Sequence, residues 1–373
     1  MKLLIVNTST GWGGLEMNVV KLAGELQLKG VEVHFVCQAG TTFDQQISGE
    51  FSTILRVGKV KKYFDFTNAK LLAQYMQKKE ISIVFTAFRP DLDLLLWTKR
   101  RLKHTKIVHQ QQMQIGPPKK GIFQTLRFKS VDLWLTPLHW LKEEVLEKTL
   151  IKKDIIRIVP LGVRHQPLVD NSISKLDAQQ HFNISTDSFV LGVIGRIDEK
   201  KGQLLLTKAV KQLLDAGEDV KLLIVGAPTV DNPKSVVYHK AIISFIEEHK
   251  LQSKIHFAPF TKEIHKFYRA IDTFVMSSEG ETFGMVTVEA MMSKIPVIGT
   301  NSSGTPEVLG HGKRGELYAF NNQQSFVEAY YRLRAKLANG SLDLNAVQKE
   351  AIELYSLEKE VAGVLSAFEE LKK

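Results

Sequence analysis

The chain has 373 residues, of which 44% are hydrophobic and 24% charged; that is the make-up of a globular protein too long for one ordinary core and suited to two domains. Its formal charge of +10 is uneven: residues 1–163 carry 25 Lys and Arg against 14 Asp and Glu, or +11, and residues 164–373 carry 25 against 26, or −1. One cysteine, Cys37, excludes an intramolecular disulfide and a cysteine-based metal cluster, and no apolar run of about 18 residues marks a membrane span.

Leu3-Leu4-Ile5-Val6 turns polar at Asn7, so it reads as a first strand rather than a signal peptide, and a cytoplasmic protein is expected. Thr8 to Gly14, with glycines at 11, 13 and 14, then leads into a helical pattern from Glu16 to Leu26. Strand, glycine loop and helix make the phosphate-binding βα unit, although the spacing is not that of the dinucleotide fingerprint. Further strands are expected at Val31–Val36, where Cys37 ends the run as a small core residue, at Thr53–Val57 and at Ile81–Thr86. Helical segments separate them, which is the rhythm of a parallel sheet. Asp91-Leu92-Asp93 follows Pro90 and precedes an apolar run, a place for helix-capping acids rather than for a metal.

Lys106-Ile107-Val108-His109 is another strand end, followed by the polar loop Gln110 to Pro118. Ligands of doubly wound sheets sit beyond the carboxyl ends of strands, which places His109 toward such a site, while a lone histidine is more often structural. Val131–Pro137 and Ile155–Pro160 supply the last strands of the first half. The pattern then restarts with the strand Phe189–Ile194, the loop Gly195 to Gly202 and the helix Leu204–Ala216. Arg196 and Lys201 in that loop combine a bidentate fork with a mobile point charge, a pair that suits a diphosphate. Strands at Lys221–Gly226 and Ile255–Phe260 follow, then Leu317-Tyr318 as a last strand, and an amphipathic helix is expected over Glu350 to Lys373.

The most informative stretch is Glu279 to Leu309. Met285 to Ser293 has no Gly or Pro and reads as a helix, with Glu281 just before it and Glu289 inside it. Helical side chains lean toward the N-terminus, so Glu289 is aimed at the turn that Glu281 occupies. Between them Thr282, Phe283, Gly284 and Met285 supply amides without an intrahelical acceptor, at the positive end of the helix. Carboxylates for hydroxyls beside amides for an anion suit a nucleotide sugar, whereas an isolated Glu-x7-Glu is more often a solvated surface pair.

Glu281, Phe283-Gly284, Glu289-Ala290-Met291, Pro296-Val297-Ile298 and Gly304-Thr305-Pro306-Glu307 resemble, in that order, the signature of the family 4 glycosyltransferases, retaining enzymes of the GT-B fold; Thr282 stands where Gly is common. The resemblance implies an α/β protein of two Rossmann-like domains whose parallel sheets face across a cleft. Leu161-Gly162-Val163 resembles the family's Asn-Gly-Val linker, with Leu161 in place of Asn. It sets an acceptor-side domain at 1–163 and a nucleotide-sugar domain at 164–354, with a terminal helix of about 355–373 crossing back to the first. The implied donor is a nucleoside-diphosphate sugar and the implied acceptor a glycan or a lipid-linked glycan. No cofactor and no metal are expected, because Arg196 and Lys201 would neutralise the departing diphosphate.

By the same resemblance Glu289 binds ribose hydroxyls, and Glu281 with the amides of Phe283, Gly284 and Met285 orients the sugar. His109 hydrogen-bonds the sugar near its reacting carbon, and Gly13, Gly14 and Glu16 line the opposite wall. The leaving phosphate takes the acceptor's proton in front-face attack. The Gln-rich loop and Lys119-Lys120 are similar to those of bacterial surface-polysaccharide and lipopolysaccharide members. A nucleotide-sugar epimerase or a phosphorylase of the same fold is the alternative. The basic runs Lys59 to Lys62, Lys99 to Lys103 and Lys119-Lys120 are either a solvated face or a patch for an anionic membrane surface. Without interleaved aromatics or a binding motif they do not suggest nucleic acid.

Overall fold

The computed structural model describes residues 1–170, 172–184, 187–229 and 232–372. The chain divides into two compact units, one formed by Met1–Gly162 with Leu357–Lys373 and the other by Val163–Ser356.

The first unit is built on a seven-stranded sheet of β1 (Lys2–Val6), β2 (Glu32–Gln38), β3 (Ile54–Val57), β4 (Ile83–Thr86), β5 (Lys106–Gln110), β6 (Leu133–Thr136) and β7 (Ile156–Ile158). The order is β3-β2-β1-β4-β5-β6-β7 and every pairing is parallel, so the winding reverses between β1 and β4. Parallel strands covered by helices on both faces need apolar side chains on both, and Leu3, Leu4, Ile5 and Val6 are fully buried in alternation. Leu3 and Ile5 join one core with Leu22, Phe35 and Phe85, while Leu4 and Val6 join the other with Leu72, Leu95 and Trp134. Cys37 is a core residue of β2, its thiol pushed up to about 12 by burial and by Asp44.

The second unit carries six parallel strands, β8 (Phe189–Ile194), β9 (Val220–Val225), β10 (Ile255–Ala258), β11 (Thr273–Met276), β12 (Val297–Thr300) and β13 (Glu316–Tyr318), in the order β10-β9-β8-β11-β12-β13. β11 is absent from the strand pattern read along the sequence. It is only four residues long and follows the Ile264–Ala270 helix almost directly, so its apolar run merges with that of the helix. Yet it is central, pairing β8 through Thr273 with Leu191 and β12 through Phe274 with Val297.

Two expectations are corrected. Glu350 to Lys373 is not one helix but the ends of two, Leu344–Tyr355 and Leu357–Glu370. Ser356 between them is extended, at φ −68° and ψ 155°, because it forms a parallel bridge with Val163, whose amide donates to the Tyr355 carbonyl at 2.8 Å. The Leu357–Glu370 helix lies in the core of the first unit through Leu357, Val361, Val364, Ala367 and Phe368. Its buried Glu360 accepts from Gln110 Nε2 at 2.7 Å and from the Gly162 amide at 2.8 Å.

Asp91 and Asp93 open the helix Asp91–Arg101 but do not cap it. Asp91 is fully buried and joins two strand ends instead, accepting from the Thr8 amide at 3.2 Å, from the Thr8 hydroxyl, and from the Thr86 hydroxyl at 3.3 Å. Burial holds its carboxyl up at about 7. Asp93 pairs with Arg127 at 3.3 Å. Among the described residues no helix is long and apolar enough to cross a membrane.

Candidate active site

In the second unit β8 and β11 are neighbours, so the loops leaving their carboxyl ends emerge side by side. The loop after β8 turns through a short 3-10 segment, Glu199–Lys201, whose amide at Lys200 is capped by the Asp198 carboxylate at 3.2 Å. It ends at Gly202, where φ is +73° and a Cβ would meet the Ser277 carbonyl at 2.4 Å. Only glycine fits both the left-handed turn and that approach. The loop after β11 is stitched to it: the Ser277 hydroxyl donates to the Lys201 carbonyl, and the Glu279 amide to the Lys200 carbonyl at 2.8 Å.

These backbone links bring Lys201 and Glu281, eighty residues apart, into an ion pair of 2.9 Å, with both side chains about a quarter exposed (31% and 23%). Glu281 is held from its other side by the Gly304 amide, which donates to the Glu281 carbonyl at 3.0 Å. Arg196 stands on the same loop as Lys201, exposed, and its guanidinium has no partner among the described residues. Its carbonyl accepts from the buried Gln203 at 2.9 Å, which ties the loop to the start of the following helix.

Gly284, at φ +84°, turns the chain into the helix Met285–Met292, whose first turn therefore faces the Lys201–Glu281 pair's loop. Thr287 and Val288 donate back to the Gly284 carbonyl, at 2.9 and 3.3 Å, while the amides of Phe283, Gly284 and Met285 have no backbone acceptor among the described residues. Phe283 itself is buried against Tyr355, rings 5.5 Å apart, and so anchors the turn rather than lining open space. Glu289 lies one turn further along. Its Oε2 is 3.0 Å from the Tyr268 hydroxyl, which also reaches the Val286 carbonyl at 2.9 Å. Glu281 and Glu289 are thus positioned by different partners, Lys201 and Tyr268. Sequence reading missed Tyr268, Ser277 and Gln203, which act through contacts 21 to 76 residues away or through a carbonyl, and no local pattern reports such contacts.

The remaining expected site residues lie in the first unit. Gly13 and Gly14 form the start of the helix Gly14–Leu28, and the buried Glu16 spends Oε2 on the Gly13 amide at 3.0 Å, capping its own helix. His109 is the last residue but one of β5, 2% exposed, packed at 4.4 Å between ring centroids against Trp134. It is hydrogen-bonded to the Thr86 backbone, and its buried Nδ1 has no partner among the described residues. Burial and then the charge of Arg89 push its pKa down to about 3, so the ring is neutral at pH 7.

The unfolded state takes up this proton near pH 6.5 and the folded state only near 3, so the contribution of His109 to stability is full above 6.5 and falls as pH drops. Between pH 6.5 and 4.5 the wild type is expected to lose about 2–3 kcal/mol relative to His109→Phe. Urea unfolding of both proteins at the two pH values checks this; a gap that does not change with pH refutes it.

Solved structures share this architecture along their whole length. A glycosyltransferase from Rickettsia africae superposes with a TM-score of 0.88 at 21% identity, over 100% of this chain and 98% of that one. Anabaena HepE in complex with UDP superposes with a TM-score of 0.87 at 16% identity, over 99% and 100%. At these identities the likeness defines the class of fold, which is GT-B.

The family follows from sequence. Residues 12–166 match Glycosyltransferase Family 4 and residues 174–336 match glycosyl transferases group 1, so that nearly the whole chain is accounted for and the protein belongs to the family 4 glycosyltransferases. Among similar proteins, the phosphatidylinositol N-acetylglucosaminyltransferase GPI3 subunit of Saccharomyces cerevisiae is 24% identical over 62% of this chain and 49% of its own length. The lipopolysaccharide 1,2-N-acetylglucosaminetransferase of Salmonella typhimurium is 31% identical over 43% of this chain and 42% of its own. The matched regions therefore span about half or less of these relatives.

Proposed function

We propose that the chain transfers a sugar from a nucleoside-diphosphate sugar to a glycan or lipid-linked acceptor, with retention of anomeric configuration and without a metal, in the synthesis of a cell-envelope polysaccharide. The observation that carries this reading is the Lys201–Glu281 pair beside the N-terminus of the Met285–Met292 helix, with Arg196 on the same loop and Glu289 on the helix. A diphosphate entering there meets the Lys201 ammonium, the Arg196 guanidinium and the amides of Phe283, Gly284 and Met285. Ribose hydroxyls donate to Glu289, which Tyr268 already orients, and sugar hydroxyls donate to Glu281.

In the reaction the bond from the anomeric carbon to the phosphate oxygen breaks and the bond to the acceptor oxygen forms on the same face. The acceptor proton passes to the leaving phosphate oxygen. Lys201 and Arg196 stabilise the charge that gathers on the diphosphate, a role that strengthens as the bound donor orders the two side chains and displaces water from around them. The complex of HepE with UDP supports a uridine nucleotide as the first donor to try.

The test is a calorimetric titration of the purified protein, with a chelator present, against UDP, GDP, ADP and their sugars. One nucleotide series is expected to bind, and Glu289→Ala to weaken it roughly ten- to a hundredfold, the worth of one net charge-assisted hydrogen bond. No binding, strict dependence on an added metal, or isomerisation of the donor without an acceptor would each defeat the reading.

A further inference from the structure

An aromatic cluster stands on the surface of the first unit, made of none of the residues assigned above. Phe66 lies 4.7 Å from Trp97, Tyr63 lies 5.8 Å from Phe123, and Phe64 lies 6.0 Å from both Trp97 and Phe123, centroid to centroid. Rings in such contact normally belong to a core. Here Phe64, Phe66 and Phe123 are 51%, 47% and 57% exposed, and Ile122 next to them is 78% exposed. The cluster is assembled from three separate segments: the turn before the helix Phe66–Lys79, the helix Asp91–Arg101 and the start of the helix Ile122–Lys129. It is also pinned. The Trp97 indole N–H donates to the Tyr63 carbonyl, and Tyr63 takes φ +68°, a conformation that side-chain-bearing residues seldom adopt.

Cations surround the rings. Arg100 sits 4.6 Å over Trp97, Lys62 4.7 Å over Tyr63 and Arg101 6.0 Å over Phe66, while Lys119 and Lys120 directly precede the Ile122–Lys129 segment. The two acids at hand are used inward: Asp65 accepts the amides of Lys61 and Asn68, and Asp93 pairs with Arg127. The exposed charge beside the apolar tips is therefore positive.

We propose that this face docks on a bilayer of anionic lipid, with Phe64, Phe66, Ile122 and Phe123 entering the acyl boundary and the flanking lysines and arginines lying among the headgroups. The composition selects this occupant. An aliphatic Ile122 gains nothing from a polar glycan, and the rings meet at interplanar angles from 37° to 90°, so they form no flat platform for stacking sugars. A wedge of apolar tips within a cationic ring matches the two layers of an anionic membrane, and the half-buried Trp97 and Tyr63 sit behind those tips, at the level of the interface. The proposal goes beyond the donor-site reading and does not depend on it.

The experiment is co-sedimentation of the full chain with vesicles of phosphatidylcholine alone or mixed with phosphatidylglycerol, at two salt concentrations. Wild type is expected in the pellet with the mixed vesicles only, less at high salt. The triple variant Phe64→Ser, Ile122→Ser, Phe123→Ser is expected to bind about a hundredfold more weakly. Its melting temperature and its response to nucleotide should match wild type, since the three side chains are exposed; if the triple variant does not fold, Phe64→Ser alone is read for the same loss in smaller measure. Absence of wild type from the mixed-vesicle pellet overturns the proposal. So does undiminished binding by the variants, which would leave charge alone at work. Equal, equally variant-sensitive binding to heparin also overturns it, because the site would then serve a soluble polyanion.

Discussion

Lys201→Ala is expected to lower kcat/KM for transfer roughly a hundredfold or more, a loss of about 3 kcal/mol in transition-state stabilisation, while barely moving the melting temperature. The two effects separate because they depend on different states. In the free protein Lys201 and Glu281 form a pair that is about a quarter exposed, and such a pair contributes only about 0–1 kcal/mol to stability. In the proposed reaction the same ammonium would face a diphosphate whose charge grows as the sugar departs. Lys201→Arg is expected to recover part of the rate, since the charge is kept but the compact ammonium is replaced by a planar fork. Steady-state kinetics with a saturating acceptor checks this; a Lys201→Ala enzyme with wild-type kcat/KM would remove the diphosphate role. An enzyme that lost rate and several kcal/mol of stability together would mark Lys201 as structural.

Phe368→Ala is expected to destabilise the first unit by about 3–5 kcal/mol. Phe368 is fully buried, meets Phe85 edge-on at 6.3 Å, and shares a core with Leu3, Phe35 and Leu357. Removing the ring leaves a cavity that β-strands on one side cannot collapse to fill. Urea unfolding should show the loss. A cost under about 1 kcal/mol would mean that the Leu357–Glu370 helix contributes little to that core. The consequence is organisational, because residues at the far end of the sequence complete the unit that the first residues begin.

Much of the fold was legible because parallel strands announce themselves locally. Leu3 to Val6, Phe189 to Ile194 and Val220 to Val225 are apolar runs bounded by glycine or polar turns, and burial on both faces leaves them little alternative. β11 escaped notice because four residues after a helix carry no period of their own, and its central place is set by its neighbours β8 and β12. The break at Ser356 escaped for a related reason. The amphipathic pattern runs through it, and only the bridge to Val163, nearly two hundred residues earlier, makes it extended.

The candidate site divides along the same line. The placing of Glu281 before a helix and Glu289 within it, with Gly284 at the turn, rests on propensity, period and glycine's access to positive φ, all of which are properties of a short segment. Which group each carboxylate meets does not. Lys201 reaches Glu281, Tyr268 reaches Glu289 and Trp97 is ringed by Phe64, Phe66 and Arg100 only because the chain folds back on itself. His109 shows both sides. Its position at a strand end is written in the sequence, but its neutrality comes from burial beside Trp134 and near Arg89 and Arg127, and that is decided by three-dimensional packing, since desolvation and charge act through space rather than along the chain.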